Sequence, residues 1–414
     1  MWLYRLILAL ALPAICLRLW RREGATALGE RLGGGPATAG RGEAIWLHAA
    51  SNGELTAARA LIEALLAAHP DRHLVITVNS LSARALGQGW ALPRTEMRLA
   101  PLDFRPALRR FLARTAPCAL ITIEGEIWPE RFTAMAARGR PVLLVSARLS
   151  ARSLARWRWR PGLARRVADA IRWAAPQEGD SAARLAALGL SPERIGPACN
   201  LKLTHAPAVD TAELARLVPL FPREETILAA STHEGEDEAV LRAFAAARTT
   251  RPALRLIIAP RHPRRREAIA GAVAAAGFAV RLRSTGALPD TDAPVLIADT
   301  LGEMGLWYRL AGLTFVGGSW APRGGHTPVE PALAGSVVLH GPGVANFAPL
   351  YAALDAAGGA RAVGDAGALA QAVTSLDESA RERMRAAARA VLKRERARRA
   401  DLGPVLAQLA RALG

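Results

Sequence analysis

The chain has 414 residues, 51% hydrophobic and 22% charged. That is the composition of a folded protein with room for two cores of about 150–200 residues each, and it excludes a disordered chain. A formal net charge of +18 calls for an acidic partner, and three scattered cysteines, Cys16, Cys118 and Cys199, exclude a disulfide framework or a cysteine-rich zinc site and fit a reducing compartment.

The first element is the apolar run MWLYRLILALALPAICLRLW, with Arg5 near its start and Arg18, Arg21 and Arg22 at its end. No small-x-small cleavage pattern follows before the charges, so residues 1–22 read as an uncleaved membrane anchor rather than a secretory signal. Its length is marginal for a hydrocarbon core of about 30 Å. A single crossing and a partly embedded position both fit, and the arginines behind it favour a cytoplasmic body.

From Ala44 onward apolar strands alternate with helices, the pattern of βαβ units around a parallel sheet. Strands are expected at Ala44 to Ala49, His73 to Val78, Leu120 to Ile123 and Pro141 to Val145, with helices over Leu55 to Ala68 and Pro106 to Arg114. The turn Ala50-Ser51-Asn52-Gly53-Glu54 places a carboxylate at a helix start. There Glu54 is either a general base or a first-turn residue offsetting the helix dipole. After the third of these strands, Glu124-Gly125-Glu126-Ile127-Trp128-Pro129 offers two carboxylates at i and i+2, which face one way if the strand continues. The alternative for this pair is helix capping. Farther on, Arg156-Trp157-Arg158-Trp159-Arg160 interleaves cations with aromatics and reads either as a membrane contact or as a structural helix with exposed arginines.

The proline-rich stretch Asn200 to Pro222 reads as the interdomain linker. A second series of strands is expected at Thr226 to Ala230, Arg255 to Ala259, Ala279 to Leu282, Pro294 to Ile297, Leu313 to Val316 and Ser336 to Leu339. Ser231 and Thr232, in ASTHEGE, stand where hydroxyls and a helix start can cradle a phosphate, although the glycine spacing of a P-loop or dinucleotide fingerprint is missing. Arg261, in Pro260-Arg261-His262-Pro263, offers a planar fork to a phosphate or a base edge. The glycine pairs of FVGGS and RGGHTPVEPA let a phosphate approach the backbone at Gly318 and Ser319, and Glu330 stands at a helix start suited to ribose hydroxyls. His233, His262 and His326 fall on separate loops and read as structural; no cluster has metal-ligand spacing. From Asp377 the tail reads as charged helices closing the second lobe.

Taken together, GEIWP, ASTHEGE, APRH, DTLGEMGLWY (299–308), FVGGS and RGGHTPVEPA resemble the bacterial 3-deoxy-D-manno-octulosonic acid (Kdo) transferases, in the same order from the hydrophobic N-terminus to about residue 365. The resemblance implies an α/β protein of GT-B fold: two Rossmann-like lobes facing a cleft, with an N-terminal hydrophobic anchor helix. The expected divisions are 1–22 for the anchor, 41–203 for the acceptor-binding lobe and 204–414 for the nucleotide-sugar lobe. It further implies inverting transfer of Kdo from CMP-Kdo to a hydroxyl of a lipid A precursor, with no metal or other cofactor, at the cytoplasmic side of the inner membrane.

Carried over by position, Glu54 would be the base and Glu126 the second carboxylate. Ser231, Thr232, Arg261, Gly318, Ser319, Glu330 and Asn346 (in GPGVANF) would surround CMP. Lys202, in NLK, would meet acidic groups of donor or acceptor. Asn52, Gly125 and Thr327 depart from the family pattern, the first two beside the expected acceptor site. The basic excess then suits phosphorylated lipid in an anionic membrane, worth about 1 kcal/mol per Lys or Arg near that surface, with Arg156 and Arg158 as the contact. Two other functions fit the lobes alone: a GT-B enzyme using a UDP-sugar, and a noncatalytic nucleotide-sugar or lipid-binding protein. Nucleic acid is not an expected partner, since no zinc finger or aromatic RNP-like motif is present.

Overall fold

The structure, a computed structural model, describes residues 1–38, 43–203, 209–287 and 293–413. The chain divides into two compact units: Met1–His205 with Arg396–Gly414, and Ala206–Glu395. The sequence-based division at 203/204 assigned the whole tail to the second lobe. Its last part, Arg396–Gly414, instead groups with the first unit, where the terminal helix Gly403–Leu413 buries Val405 and Leu409 in the core; the part up to Glu395 stays with the second unit. Residues 204–208 of the expected linker lie outside the described residues; around them are a buried 3-10 turn, Leu201–Leu203, and the helix Thr211–Leu217.

Among the described residues of the first unit, six strands form one parallel sheet: β1 Ala44–His48, β2 His73–Val78, β3 Thr95–Leu99, β4 Pro117–Ile123, β5 Val142–Ala147 and β6 Ile171–Pro176. Their spatial order is β3-β2-β1-β4-β5-β6, with Ala44 opposite His73 on one side and Pro117 on the other. Every residue of β1, β4 and β5 is buried. Helices cover both faces of such a sheet, so continuous apolar runs rather than alternating ones make its central strands.

The second unit repeats the plan with β7 Thr226–Thr232, β8 Arg255–Pro260, β9 Val280–Leu282, β10 Val295–Ile297, β11 Leu313–Val316, β12 Val337–His340 and β13 Ala360–Ala362. Its order is β13-β12-β11-β7-β8-β10-β9, again parallel throughout. In each sheet the order reverses beside the unit's first strand, at β1/β4 and at β7/β11. A doubly wound sheet opens its ligand crevice at that reversal, beyond the carboxyl ends of the strands. The sequence reading missed β3, β6 and β13. Each lies at a sheet edge; β3 is polar and β13 has three residues, whereas β6 is a six-residue, mostly apolar run.

The N-terminal helix α1, Trp2–Arg31, extends beyond the expected anchor, and Gly24 (φ 86°, ψ 172°) breaks its helical path. Its apolar first part is uncovered: Trp2 and Leu10 are each 75% exposed and Trp20 53%. Both ends are tied to the first unit. Tyr4 donates to Asp103 (2.7 Å) and Arg5 pairs with Glu130, while at the far end Arg31, braced by Glu23 of the same helix (2.7 Å), donates to the Asn79 carbonyl (2.8 Å). Glu30 also pairs with Arg84 (2.8 Å).

Candidate active site

In the first unit the site is built on the ends of β1 and β4. Ser51 caps the helix α2, Asn52–Ala57, by accepting from the Glu54 amide (3.3 Å), and the Glu54 carboxylate returns to accept from the Ala50 amide (2.8 Å). These reciprocal bonds, a capping box displaced to the amide before the N-cap, aim Glu54 back over the end of β1. Burial pushes the Glu54 carboxyl up to about 7, and the negative charges of Glu124 and Glu126 act in the same direction. The Ala50 hydrogen bond and Lys202 act against it.

The two carboxylates after β4 do not face the same way. The strand ends at Ile123, and Glu124 turns into the left-handed region (φ 57°), an uncommon conformation for a residue with a side chain. Glu124 is thereby buried against Lys202, whose Nζ lies 2.7 Å from Oε1. Lys202 therefore meets a carboxylate of its own unit.

Glu126 accepts from the Trp128 indole (2.6 Å) and the Asn79 side chain (3.3 Å), and His48 Nε2 stands 3.7 Å away, beyond hydrogen-bond length. Burial opposes ionisation of Glu126. The contacts with His48 and Trp128 and the charge of buried Arg131 prevail, holding it at about 2. His48 itself is fully buried with Nδ1 against the Thr77 hydroxyl (2.9 Å), and burial with Arg131 nearby pushes it down to about 4. One carboxyl near neutrality beside another that is firmly ionised is an arrangement that separates acid–base from electrostatic roles.

His48 and Asn79 escaped the sequence reading. The only available signal for His48 was a histidine closing the otherwise apolar strand AIWLH. Arg156 and Arg158 lie on the helix Ala151–Arg158, exposed and in no ion pair among the described residues; Trp157 packs partly on the core while Trp159 is 88% exposed.

In the second unit the glycine loop after β11 is occupied by the protein itself. Glu236 is buried, and its carboxylate accepts from the amides of His233 (2.9 Å), Gly318 (2.7 Å), Ser319 (3.1 Å), Trp320 (2.9 Å) and Ala321 (3.3 Å). The backbone donors expected to receive a phosphate at Gly318 and Ser319 are thus taken by an internal anion. The Ser319 hydroxyl donates to the Val316 carbonyl and accepts from the Gly341 amide (2.8 Å). Thr232 also looks inward, donating to Asp237 (2.6 Å), which pairs with Arg265. Asn346 donates to the carbonyls of Arg323 (2.7 Å) and Gly325 (3.2 Å), fixing the second glycine pair.

Gly317 and Gly324 show why this loop needs glycine. A Cβ at Gly317 would lie 2.7 Å from the Ser231 carbonyl, and one at Gly324 (φ 79°) 2.8 Å from the Asn346 amide nitrogen. Of the expected donor residues, Ser231 sits in the left-handed region (φ 56°) at the end of β7. Arg261 is exposed after β8, and Glu330 is partly exposed and hydrogen-bonded with Tyr308.

The three histidines on separate loops converge, contrary to the sequence expectation that each stands alone. Nε2 of His233 and Nε2 of His326 are 3.0 Å apart, and the His262 ring meets that of His233 at 6.2 Å and 87°. Among the described residues no group of three or more His, Cys, Asp or Glu is arranged to hold a metal ion. Loop convergence of this kind is set by sheet order, which spacing along the chain does not reveal.

A family model described as 3-deoxy-D-manno-octulosonic-acid transferase matches residues 26–205. A 3-deoxy-D-manno-octulosonic acid transferase of Bordetella pertussis is 36% identical over 425 residues, covering 94% of each chain. One of Haemophilus influenzae is 32% identical over 86% of this chain and 84% of its own. Among solved structures, UDP-GlcNAc 2-epimerase from Neisseria meningitidis bound to UDP-GlcNAc aligns over 85% of this chain and 98% of its own, with a TM-score of 0.57 and 13% identity. At that identity the likeness shows the fold alone, the two α/β units of GT-B proteins. With the full-length relatives above 30% identity, the chain belongs to the Kdo transferase family and is a glycosyltransferase.

Proposed function

We propose that the chain moves Kdo from CMP-Kdo to a hydroxyl of a lipid A precursor, inverting the anomeric carbon, with Glu54 as general base. The observation that carries this reading is the Glu54 carboxyl pushed up to about 7 beside Glu126 held at about 2. A base poised near the working pH takes a proton most effectively as the acceptor oxygen attacks. Glu126 stays charged and orients an acceptor hydroxyl. Lys202 supports this by holding Glu124, whose charge raises Glu54.

Ser231, Arg261 and Glu330 serve the donor directly, Arg261 on the phosphate and Glu330 on the ribose. Thr232, Gly318, Ser319 and Asn346 build the loops that present it. No metal ion or other cofactor takes part in this scheme.

The body works at the cytoplasmic face of the inner membrane, held there by α1 with Arg156 and Arg158. Both ends of α1 are tied to one unit while its apolar side is uncovered, which favours a helix lying in the interface over one crossing the bilayer.

The test is transfer of Kdo from CMP-Kdo to a tetra-acylated lipid A precursor by the purified full-length protein, with chelator present and products counted by mass spectrometry. Product from the natural chain and none from Glu54→Ala is expected. Absence of product from both, beside an authentic transferase that is active, contradicts the reading.

A further inference from the structure

The loops after β7, β8 and β11 bring five basic side chains to one place: His233, His262, His326, Arg261 and Arg323. His262, Arg261 and Arg323 each act electrostatically on His233 or His326, and His233 acts on His326. The carboxylate that faces them is Glu236, and both of its oxygens are already bound to backbone amides. The Tyr351 hydroxyl donates to the His326 carbonyl (2.9 Å) and leaves the ring free. This is a site built for an anion.

Within it, His233 and His326 form a pair of unusual geometry. Their planes differ by 2°, their centroids lie 5.3 Å apart and their Nε2 atoms 3.0 Å apart. The centroid separation exceeds the nitrogen separation by twice the distance from ring centre to nitrogen, so the rings meet edge to edge. That is the geometry of an N–H···N hydrogen bond, in which one imidazole donates and the other accepts. Neither Nδ1 has a hydrogen-bond partner among the described residues. One more proton on the pair would leave a single bridging hydrogen and an N–H at both Nδ1 atoms, with the charge spread over two rings.

We propose that the His233–His326 pair takes up one proton when the donor's phosphate is seated beside it, and returns that proton to the departing nucleoside monophosphate as general acid. This deepens the CMP-Kdo reading and rests on it. In the step, the acceptor oxygen bonds to the anomeric carbon and yields its proton to Glu54. The bond from that carbon to the phosphate oxygen breaks with its electron pair on the phosphate. That oxygen receives the proton from the imidazole pair, which returns to neutrality and recharges from solvent. The match is chemical: a phosphate monoester has a second pKa of about 6 and imidazole an ordinary one of about 6.5.

Without ligand both rings are biased toward the neutral form. Burial, then His233 and Arg261, push His326 down to about 4, with Glu236 opposing; burial likewise lowers His233, with Arg323, His262 and Arg261 on the same side and Glu236 against. An arriving phosphate brings a negative charge that offsets Arg261 and Arg323 and favours the protonated pair.

The test compares the full-length protein with His233→Gln and His326→Gln, measuring CMP affinity by calorimetry, melting temperature, and kcat for CMP-Kdo against pH. The expected result is a kcat lowered about 100-fold in each variant, loss of the alkaline limb of the kcat profile, an unchanged melting temperature, and a CMP affinity lowered less than about tenfold and only at acid pH, where the pair would have taken up its proton. Retention of kcat and of the alkaline limb in both variants overturns the proposal. A loss of kcat matched by lost CMP binding or a lowered melting temperature assigns the pair a binding or structural role and overturns it too. A natural chain that neither binds CMP nor transfers Kdo removes the donor reading, and this proposal with it.

Discussion

Two glutamates occupy corresponding places in the two units: Glu54 follows the first strand of one sheet and Glu236 the first strand of the other, each at the start of the next helix. Their surroundings differ. Glu54 accepts from one backbone amide, with a weaker contact to the Ser51 hydroxyl, and shares its neighbourhood with two more carboxylates, so its negative form is disfavoured. Glu236 accepts from five backbone amides drawn from two loops. The same device, a carboxylate at a strand-to-helix turn, makes a proton acceptor where donors are scarce and a structural fastener where they are plentiful.

The comparison can be sharpened by removing each carboxylate. Glu54→Gln is expected to lower kcat by about 10²–10⁴-fold in the transfer assay while the chain stays folded by circular dichroism. Glu236→Ala is expected to do the opposite. Five amides lose their acceptor, and stability falls by about 3–5 kcal/mol in denaturant titration.

A pH-dependent experiment separates them further. The folded-state pKa of Glu54 lies above its ordinary value, so its contribution to stability is full below about 4.5 and is lost as pH rises through about 7. At pH 8 Glu54→Gln is therefore expected to stabilise the protein by roughly 2 kcal/mol, discounted for the solvent that reaches the carboxylate, with the gain vanishing by pH 4. Gly324→Ala is expected to cost about 1–2 kcal/mol in the same titration, by straining φ and displacing Asn346. The smallest change is expected from Lys202→Met. Removing the cation that lowers Glu54 moves the acid limb of the rate profile to higher pH.

Much of this architecture was legible in the residues. Central strands such as Leu120 to Ile123 and Leu313 to Val316 are continuous apolar runs because helices bury both faces, and each was placed from that pattern. Of the edge strands only β9 was placed; β3 (TEMRL) carries polar residues and β13 has three residues in all, and β6 went unrecognised with them.

The reading of the tail as charged helices on the second lobe holds for the Ala-, Arg- and Glu-rich stretch up to Glu395, which packs Ala380 and Met384 there. The last helix, Gly403–Leu413, carries Val405 and Leu409 to the first unit's core instead, a docking that its own apolar stripe does not specify. For the site, the motifs brought Glu54, Glu126 and Arg261 to strand ends, but they assigned the glycine-loop amides to a ligand. Nothing in the spacing of ASTHEGE and FVGGS tells whether an incoming phosphate or Glu236 fills that nest. The histidine pair was invisible for a related reason, since His233 and His326 are 93 residues apart and meet only because β7 and β11 are neighbours.

The most direct test of the account is the pH dependence of kcat/KM for Kdo transfer by the natural chain, compared with Glu54→Gln. An acid limb near pH 7 that disappears in the variant along with most of the rate is the expected result. A limb near pH 4.5 in the natural chain, or one that persists unchanged in Glu54→Gln, would contradict the assignment of Glu54 as the base.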